Sequence, residues 1–198
     1  MVKVSSALIT AGFAGIALSL IIFVAIFYPV VKLELNYQIQ EKFKPSQTKN
    51  IEPLDRQFGI VVPKIGANAK IVAEVDPFSR WEYQLALTKG VAHAKGTSLP
   101  GQMGNIFLFS HSSVNFYEAS RYNSIFYLLD KMEAGDQIEL YFRGEKFTYL
   151  VSDKKIVSAS EVGYLKGEGE GKTITLMTCY PAGTSFKRLL VLGELLKP

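Results

Sequence analysis

The chain contains a single cysteine, Cys179, and its position suits a nucleophile. The apolar and β-branched run Thr173–Thr178 before it predicts a strand, and Pro181 and Gly183 after it indicate a turn. A side chain at the exit of a strand is held by the sheet, while the turn beyond leaves room for a substrate. A lone free cysteine is more often a small buried apolar residue, so position alone does not establish catalysis.

A histidine that could activate this thiol follows a second predicted strand. His111 comes directly after Asn105–Ser110, and two strands that end at one rim would bring it beside Cys179. An imidazolium near a cysteine stabilises the thiolate, which is the reactive form. The other histidine, His93, lies in the loop-like stretch Gly90–Gly96, and we expect it to be structural or on the surface.

Arg188 precedes the last predicted strand and is a candidate for stabilising charge. Acyl transfer develops a negative oxygen, which a guanidinium can stabilise by donating hydrogen bonds. The alternative is that Lys187 and Arg188 form a solvated strand end. No third carboxylate of a triad can be assigned, because nothing singles out Glu118 or Asp130.

Composition narrows the class of protein. Hydrophobic residues at 48% and charged residues at 20% are typical of a globular chain and exclude a largely disordered one. A net charge of +4 without a block of basic residues gives no reason to expect a nucleic-acid partner. One cysteine excludes an intrachain disulfide and a cysteine-based zinc site, and we expect no metal or other cofactor.

The elements that must position these side chains are mostly short strands. Seven apolar runs bounded by turn residues, several with period two, predict strands, and Gly144 predicts a tight hairpin. Trp81–Thr88 and Asn123–Met132 read as short helices. Strands at this spacing are typical of a closed β-barrel or a sandwich. The predicted strands are Phe58–Val62, Ala69–Val75, Asn105–Ser110, Gln137–Phe142, Lys146–Ser152, Thr173–Thr178 and Leu189–Leu195.

Several of these motifs together resemble the sortase family. The string Thr175–Cys179, followed by Arg188 and a closing apolar strand, is similar to the sortase signature. The resemblance extends in order over roughly residues 56–197. Its other segments are Gly90–His93, Gly96–Gly101, Gly104–Asn105, the strand before His111, Phe126–Leu129 and Gly135–Asp136.

The resemblance implies a fold and a reaction. The fold would be mainly β, an eight-stranded closed barrel with short helices. Cys179 would attack a backbone carbonyl in an LPxTG-like C-terminal sorting signal of a secreted protein. His111 would protonate the leaving amine, Arg188 would position the substrate and stabilise the oxyanion, and Thr178 would support substrate binding. An amine such as a peptidoglycan precursor or a pilin lysine would then resolve the thioacyl enzyme.

One departure from the family concerns calcium. Some sortases bind calcium partly through carboxylates in the loop before the histidine strand, whereas Ala94–Gly104 contains no Asp or Glu here. Glu161, Glu168 and Glu170 lie nearer the cysteine strand and could form half a site. We therefore do not expect calcium dependence.

The N-terminal segment predicts a membrane anchor. No charged residue occurs from Val4 to Val31, which is long enough for a helix that crosses the hydrocarbon core. A cleaved signal peptide is the alternative, but Phe27–Val31 contains no small residue that would suit cleavage. We divide the chain into an anchor at 1–31, a stalk at 32–55 in which helix continues as far as Phe43, and a catalytic domain at 56–198.

The sequence leaves alternatives open for the membrane orientation and for the class of function. Lys32, Lys42 and Lys44 favour weakly the opposite orientation, but the expected chemistry favours a single-pass protein with its catalytic domain outside the cell. An L,D-transpeptidase or cell-wall cysteine peptidase is one rival function, although those enzymes usually carry a Ser-x-Gly-Cys stretch rather than Met177–Pro181. A membrane-tethered barrel that binds wall polymer, with Cys179 buried, is the non-enzymatic rival.

Overall fold

The computed structural model describes residues 6–43, 51–112, 125–166 and 171–196. The chain forms two compact units, Met1–Pro45 and Ser46–Pro198. The first contains one long helix, α1, over Ser6–Phe43, which continues as far as the sequence predicts. In the part of the chain that the structure describes, no helix has the length and apolarity needed to cross a membrane. The transmembrane part of the anchor prediction is therefore not confirmed.

The second unit is a closed barrel of eight strands, as expected from the resemblance. Around the barrel the strands follow the order β1-β2-β3-β4-β7-β8-β6-β5. Two short α-helical or 3₁₀ segments matter for the site: helix α2 at Arg80–Leu87 and a 3₁₀ turn at Gly163–Lys166. The strands are β1 Phe58–Val62, β2 Ala67–Val75, β3 Val91–Ala94, β4 Gly104–Phe109, β5 Gln137–Phe142, β6 Glu145–Ser158, β7 Lys172–Tyr180 and β8 Lys187–Leu195.

Two parallel pairings interrupt an otherwise antiparallel barrel. Strand β2 runs parallel to β3, and β4 runs parallel to β7. A parallel pair needs a crossover connection, and α2 lies in the crossover between β2 and β3. Because β4 and β7 point the same way, their carboxyl ends meet at one rim of the barrel. The antiparallel β8 begins at that same rim.

Both faces of β4 are buried, which explains why its sequence is a continuous apolar run. Ile106 and Leu108 point into the barrel and belong to the main core. Phe107 and Phe109 point outward into a second hydrophobic group, which we call the outer cluster. Helix α2 and the 3₁₀ turn cover it on the outside. The buried members of the outer cluster are Val75, Ala86, Leu87, Ala92, Ala94, Phe107 and Phe109.

The sequence missed one strand and misjudged one helix. The four residues of β3, Val91–Ala94, were read as loop, because so short a run around a histidine shows no period. Asn123–Met132 was expected to be a helix, but its described part is a turn followed by a 3₁₀ segment at Leu129–Lys131. Residues 123 and 124 lie outside the described residues.

The hairpin predicted at Gly144 is confirmed. Strands β5 and β6 pair Phe142 with Glu145, so only Arg143 and Gly144 form the loop. Their φ angles are 51° and 86°. Two positive φ values in a two-residue loop are the geometry of a type I′ turn, in which glycine is favoured at the second position.

Candidate active site

Strand register brings the three predicted reactive side chains into one row. Strands β4 and β7 pair Phe109 with Met177, and the Ser110 N–H donates to the Met177 carbonyl at 3.1 Å, which carries the pairing past the end of β4. Continued by two residues, this register sets His111 opposite Cys179. On the other side of β7, Cys179 pairs directly with Arg188 of β8. We call His111, Cys179 and Arg188 the Cys-His-Arg row.

The row lies on the outer face of the barrel at the rim. Along β7, Leu176 and Thr178 are buried on the inside, whereas Met177 packs against the outer cluster. Side chains alternate between the faces of a strand, so Cys179 shares the outward face with Met177. The outer cluster therefore lies next to the row, beneath helix α2 and the 3₁₀ turn.

Cys179 is not buried. The residue is partly exposed, and it makes no disulfide. Directly opposed side chains on neighbouring strands have Cβ atoms roughly 5 Å apart, so groups from β4, β7 and β8 can act on one substrate carbonyl. The non-enzymatic alternative required a buried Cys179, and this placement disfavours it.

The guanidinium of Arg188 is anchored at the entrance of β8. Its Nη1 donates to the carbonyl oxygens of Ser185 at 3.1 Å and Lys187 at 3.0 Å. A guanidinium has five N–H donors, and these two bonds engage only one of its nitrogens. The side chain is thus held in place while N–H groups remain for a substrate oxygen.

Thr178 is placed differently from the expectation. It is 3% exposed, and its hydroxyl donates to the Ser110 carbonyl at 2.9 Å inside the barrel. That geometry argues against direct contact with a substrate on the outer face. The bond instead ties β7 to the residue directly before His111, so Thr178 fixes the spacing between His111 and Cys179.

Tyr164 adjoins the row, although nothing in the sequence singled it out. It belongs to the 3₁₀ turn at Gly163–Lys166, and its ring stacks on Phe107 with centroids 5.6 Å apart. Burial raises the pKa of the Tyr164 phenol, and the charge of Arg188 opposes that rise, with a further effect from Cys179. Tyr164 is therefore within electrostatic reach of Arg188 and Cys179.

His93 was expected to be structural or on the surface. It is structural, but it lies in a strand rather than a loop. Its side chain is completely buried, and Nε2 lies 3.1 Å from the Ser98 carbonyl and 3.0 Å from the Thr97 hydroxyl. On the other side the Glu74 N–H donates to Nδ1 at 3.4 Å. Burial is the main cause that lowers the pKa of His93, and the bond to Ser98 and the charge of Glu74 oppose it.

The carboxylates considered for a triad or a calcium site do not form a cluster within the described residues. Asp130 lies in the 3₁₀ segment at Leu129–Lys131 and Glu161 is exposed, whereas Glu118, Glu168 and Glu170 lie outside the described residues. Within the described ranges, no group of three or more histidine, cysteine, aspartate or glutamate residues is arranged to hold a metal ion.

Comparison with known proteins decides the family. A family model described as Sortase domain matches residues 60–196 of the chain. The chain belongs to the sortase family. Sortases are cysteine transpeptidases that anchor or polymerise surface proteins. The match covers every strand of this sortase domain from β2 to β8 and each member of the Cys-His-Arg row.

Individual relatives agree with this assignment. The chain is 29% identical over 136 residues to Sortase D of Bacillus subtilis (strain 168), and the match spans 67% of this chain and 60% of that relative's length. Among solved structures, sortase C-1 from Actinomyces oris has a TM-score of 0.60 and 26% identity, covering 86% of each chain. Sortase C from Clostridium perfringens, solved with the C-terminal cell wall sorting motif, has a TM-score of 0.60 and 26% identity, covering 86% of this chain and 89% of that one.

Proposed function

We propose that this sortase domain is a cysteine transpeptidase that cleaves an LPxTG-like C-terminal sorting signal and transfers the protein to an amine. The observation that supports the proposal is the Cys-His-Arg row: partly exposed Cys179 pairs with Arg188, and β7 is paired with the strand that leads to His111. The support for a C-terminal sorting signal as substrate is sortase C from Clostridium perfringens, which was solved with the C-terminal cell wall sorting motif.

The first half of the reaction forms a thioester on Cys179. The thiolate attacks a backbone carbonyl carbon, and the electron pair of the C=O bond moves to the oxygen. Arg188 donates hydrogen bonds to this oxyanion. As the carbonyl re-forms, the C–N bond breaks, and His111 gives its proton to the leaving amine. The acyl group remains bound to the sulfur.

The second half reverses these roles with a new amine. An acceptor amine attacks the thioester carbon and forms a C–N bond, while its proton passes to His111. The C–S bond then breaks, and its electron pair returns to the sulfur as thiolate. We propose a peptidoglycan precursor or a pilin lysine as the acceptor, because sortases as a family anchor or polymerise surface proteins.

We also propose that the barrel works on the outer side of the cell membrane. Secreted proteins and wall precursors meet there, and the charge-free run from Val4 to Val31 is suited to hold the chain at that membrane. Protease added to intact cells should remove the barrel. Protection of the barrel from external protease would contradict this location.

The central test is to trap the acyl enzyme. A sorting-signal peptide incubated with the full chain should add the mass of its acyl fragment to the protein, and fragmentation should place the addition on Cys179. Cys179→Ala should show no addition, because the chain has no other thiol. A panel of LPxTG-like peptides that yields no adduct on the folded protein would contradict the proposed function.

A further inference from the structure

A cavity of about 250 Å³ opens on the outer face of β2. One wall is the segment before β1, at Leu54 and Asp55, and the other is the turn between α2 and β3, at Thr88, Lys89 and Gly90. Lys70 of β2 contributes to the lining as well. No step of the reaction proposed above uses this cavity.

Strand register places the cavity beside the Cys-His-Arg row. Strands β3 and β4 pair Ala92 with Phe109 in antiparallel register, so two residues further Gly90 lies next to His111. Strands β2 and β3 pair Ile71 with Val91 in parallel register, so Lys70 lies next to Gly90. Gly90 and Lys70 therefore extend the line of the Cys-His-Arg row from His111 to the cavity. Neighbouring strands are about 4.8 Å apart, so Lys70 lies about 10 Å from His111.

Gly90 allows strands β2 and β3 to approach each other closely at this point. A Cβ built on Gly90 would collide with the backbone carbonyl of Lys70, and it would also press on the Lys70 side chain. Only glycine permits so close an approach of the two strands. The Lys70 backbone is therefore held against Gly90, the residue next to His111.

The cavity is positively charged. Lys70 and Lys89 are both exposed, and within the described residues neither ammonium has an ion-pair partner. Other lysines of the barrel are paired, as in Lys64 with Glu133 and Lys146 with Glu139. Two unpaired ammonium groups around one cavity attract an anion.

The lining also contains a carboxylate, Asp55. The Asp55 carboxylate accepts the N–H groups of Gln57 and Phe58, at 2.7 Å and 3.2 Å. Asp55 keeps its negative charge, so the lining carries two positive side chains against one negative side chain, and its net charge is positive.

We propose that this cavity binds the anionic end of the acceptor, so that the preferred acceptor is an amine with a carboxylate about 10 Å away. The inference rests on the proposed function. The acceptor amine must give its proton to His111 as the C–N bond forms and the C–S bond breaks. It therefore approaches from the His111 side of Cys179, opposite Arg188, and its far end extends toward Lys70 and Lys89.

Triglycine and triglycinamide test the proposal, because they differ only in the terminal carboxylate. A fully extended triglycine spans about 10 Å from amine to carboxylate. The acyl enzyme is formed with a sorting-signal peptide, and the ratio of amide product to hydrolysis product is measured at equal concentrations of unprotonated amine. Triglycine should capture the acyl group about fivefold more efficiently than triglycinamide, as expected for two partly exposed ion pairs.

Variants assign the preference to the cavity. In the double variant Lys70→Gln, Lys89→Gln the fivefold preference should fall to about one, and in Lys70→Glu, Lys89→Glu triglycinamide should become the better acceptor. Lys95→Gln, an exposed lysine that does not line the cavity, is the matched control and should keep the full preference. Because product ratios are compared within each protein, differences in the amount of folded enzyme cancel.

Two results would overturn the inference while leaving the proposed function intact. One is equal capture of triglycine and triglycinamide by the unsubstituted protein. The other is a preference for triglycine that survives in the double glutamine and double glutamate variants. A missing adduct on Cys179, before any acceptor is added, would instead overturn the proposed function itself.

Discussion

His93 lies within one strand of the barrel and His111 follows the end of the neighbouring strand, and their surroundings differ. His93 is within β3, and both ring nitrogens have partners that suit the neutral ring. His111 follows β4 at the rim, where the register sets it beside Cys179. His93 is thus committed to the fold, whereas we propose that His111 acts on the substrate. Position along the strand separates the two roles.

The largest expected effect comes from the Cys-His pair. Cys179→Ala should abolish transpeptidation, and His111→Ala should lower the rate by about 10²–10⁴ because the leaving amine loses its proton donor. Intact-mass detection of the adduct and chromatography of the products measure both steps. The double variant should be little worse than Cys179→Ala alone, since groups that act as a unit are not additive.

His93 provides the comparison for that result. His93→Gln, assayed per folded molecule, should retain most of the activity. If His93→Gln instead stopped acylation while His111→Ala did not, the two histidines would have been assigned the wrong way round.

Arg188 should come next in magnitude. Arg188→Lys keeps the charge but loses the planar set of donors, so we expect a fall of about 10²–10³ in the acylation rate. Single-turnover release of the leaving peptide measures it. Lys187→Gln, which changes the adjacent exposed residue, is the control and should have little effect. Near-normal rates in both Arg188→Lys and Arg188→Ala would mean that Arg188 is a solvated strand end.

Stability should depend on His93 through pH. Its pKa is lowered in the folded protein, so the unfolded chain binds more protons and stability rises with pH. The stability is therefore greatest above the unfolded pKa of about 6.5 and is lost as the pH falls through that value toward the folded pKa. Urea unfolding at pH 7.5 and 5.5 should show this loss.

The same measurement on His93→Gln isolates the contribution of this group. Glutamine can still donate to the Ser98 carbonyl but does not titrate, so the pH-dependent loss should become smaller. A pH dependence identical in the two proteins would show that other groups cause it. Glu74 is the charged group nearest to Nδ1, at 3.5 Å, and its carboxylate limits the shift.

The smallest effect concerns Thr178. Thr178→Val keeps the shape but leaves the buried Ser110 carbonyl without its hydroxyl donor, which should cost about 1–3 kcal/mol of unfolding free energy. Thr173→Val, on the same strand, loses a comparable bond to Asn105 far from the rim and is the matched control. If both variants lose similar stability but only Thr178→Val lowers the acylation rate, the bond to Ser110 positions the row.

Local pattern predicted much of the fold, because most strands are apolar runs with clear ends. The bounds of β1 and β5 agree with the expectation. Strand β3 was missed, since four fully buried residues show no alternation. The pairings of β4 with β7 and of Cys179 with Arg188 depend on contacts between distant segments, which periodicity does not encode. The inward direction of Thr178 was missed for the same reason, because it follows from which face of β7 the barrel encloses.

The parallel pairing of β4 with β7 also determines when the protein can become reactive. In chain order β5 and β6 separate these strands, so His111 and Cys179 meet only after a large loop has closed. Contacts between distant segments form late and slowly, because the chain entropy must be given up before they contribute. Strand β7 is also synthesised long after β4. A nascent or half-folded chain therefore carries an ordinary thiol, and its reactivity reports that folding is complete.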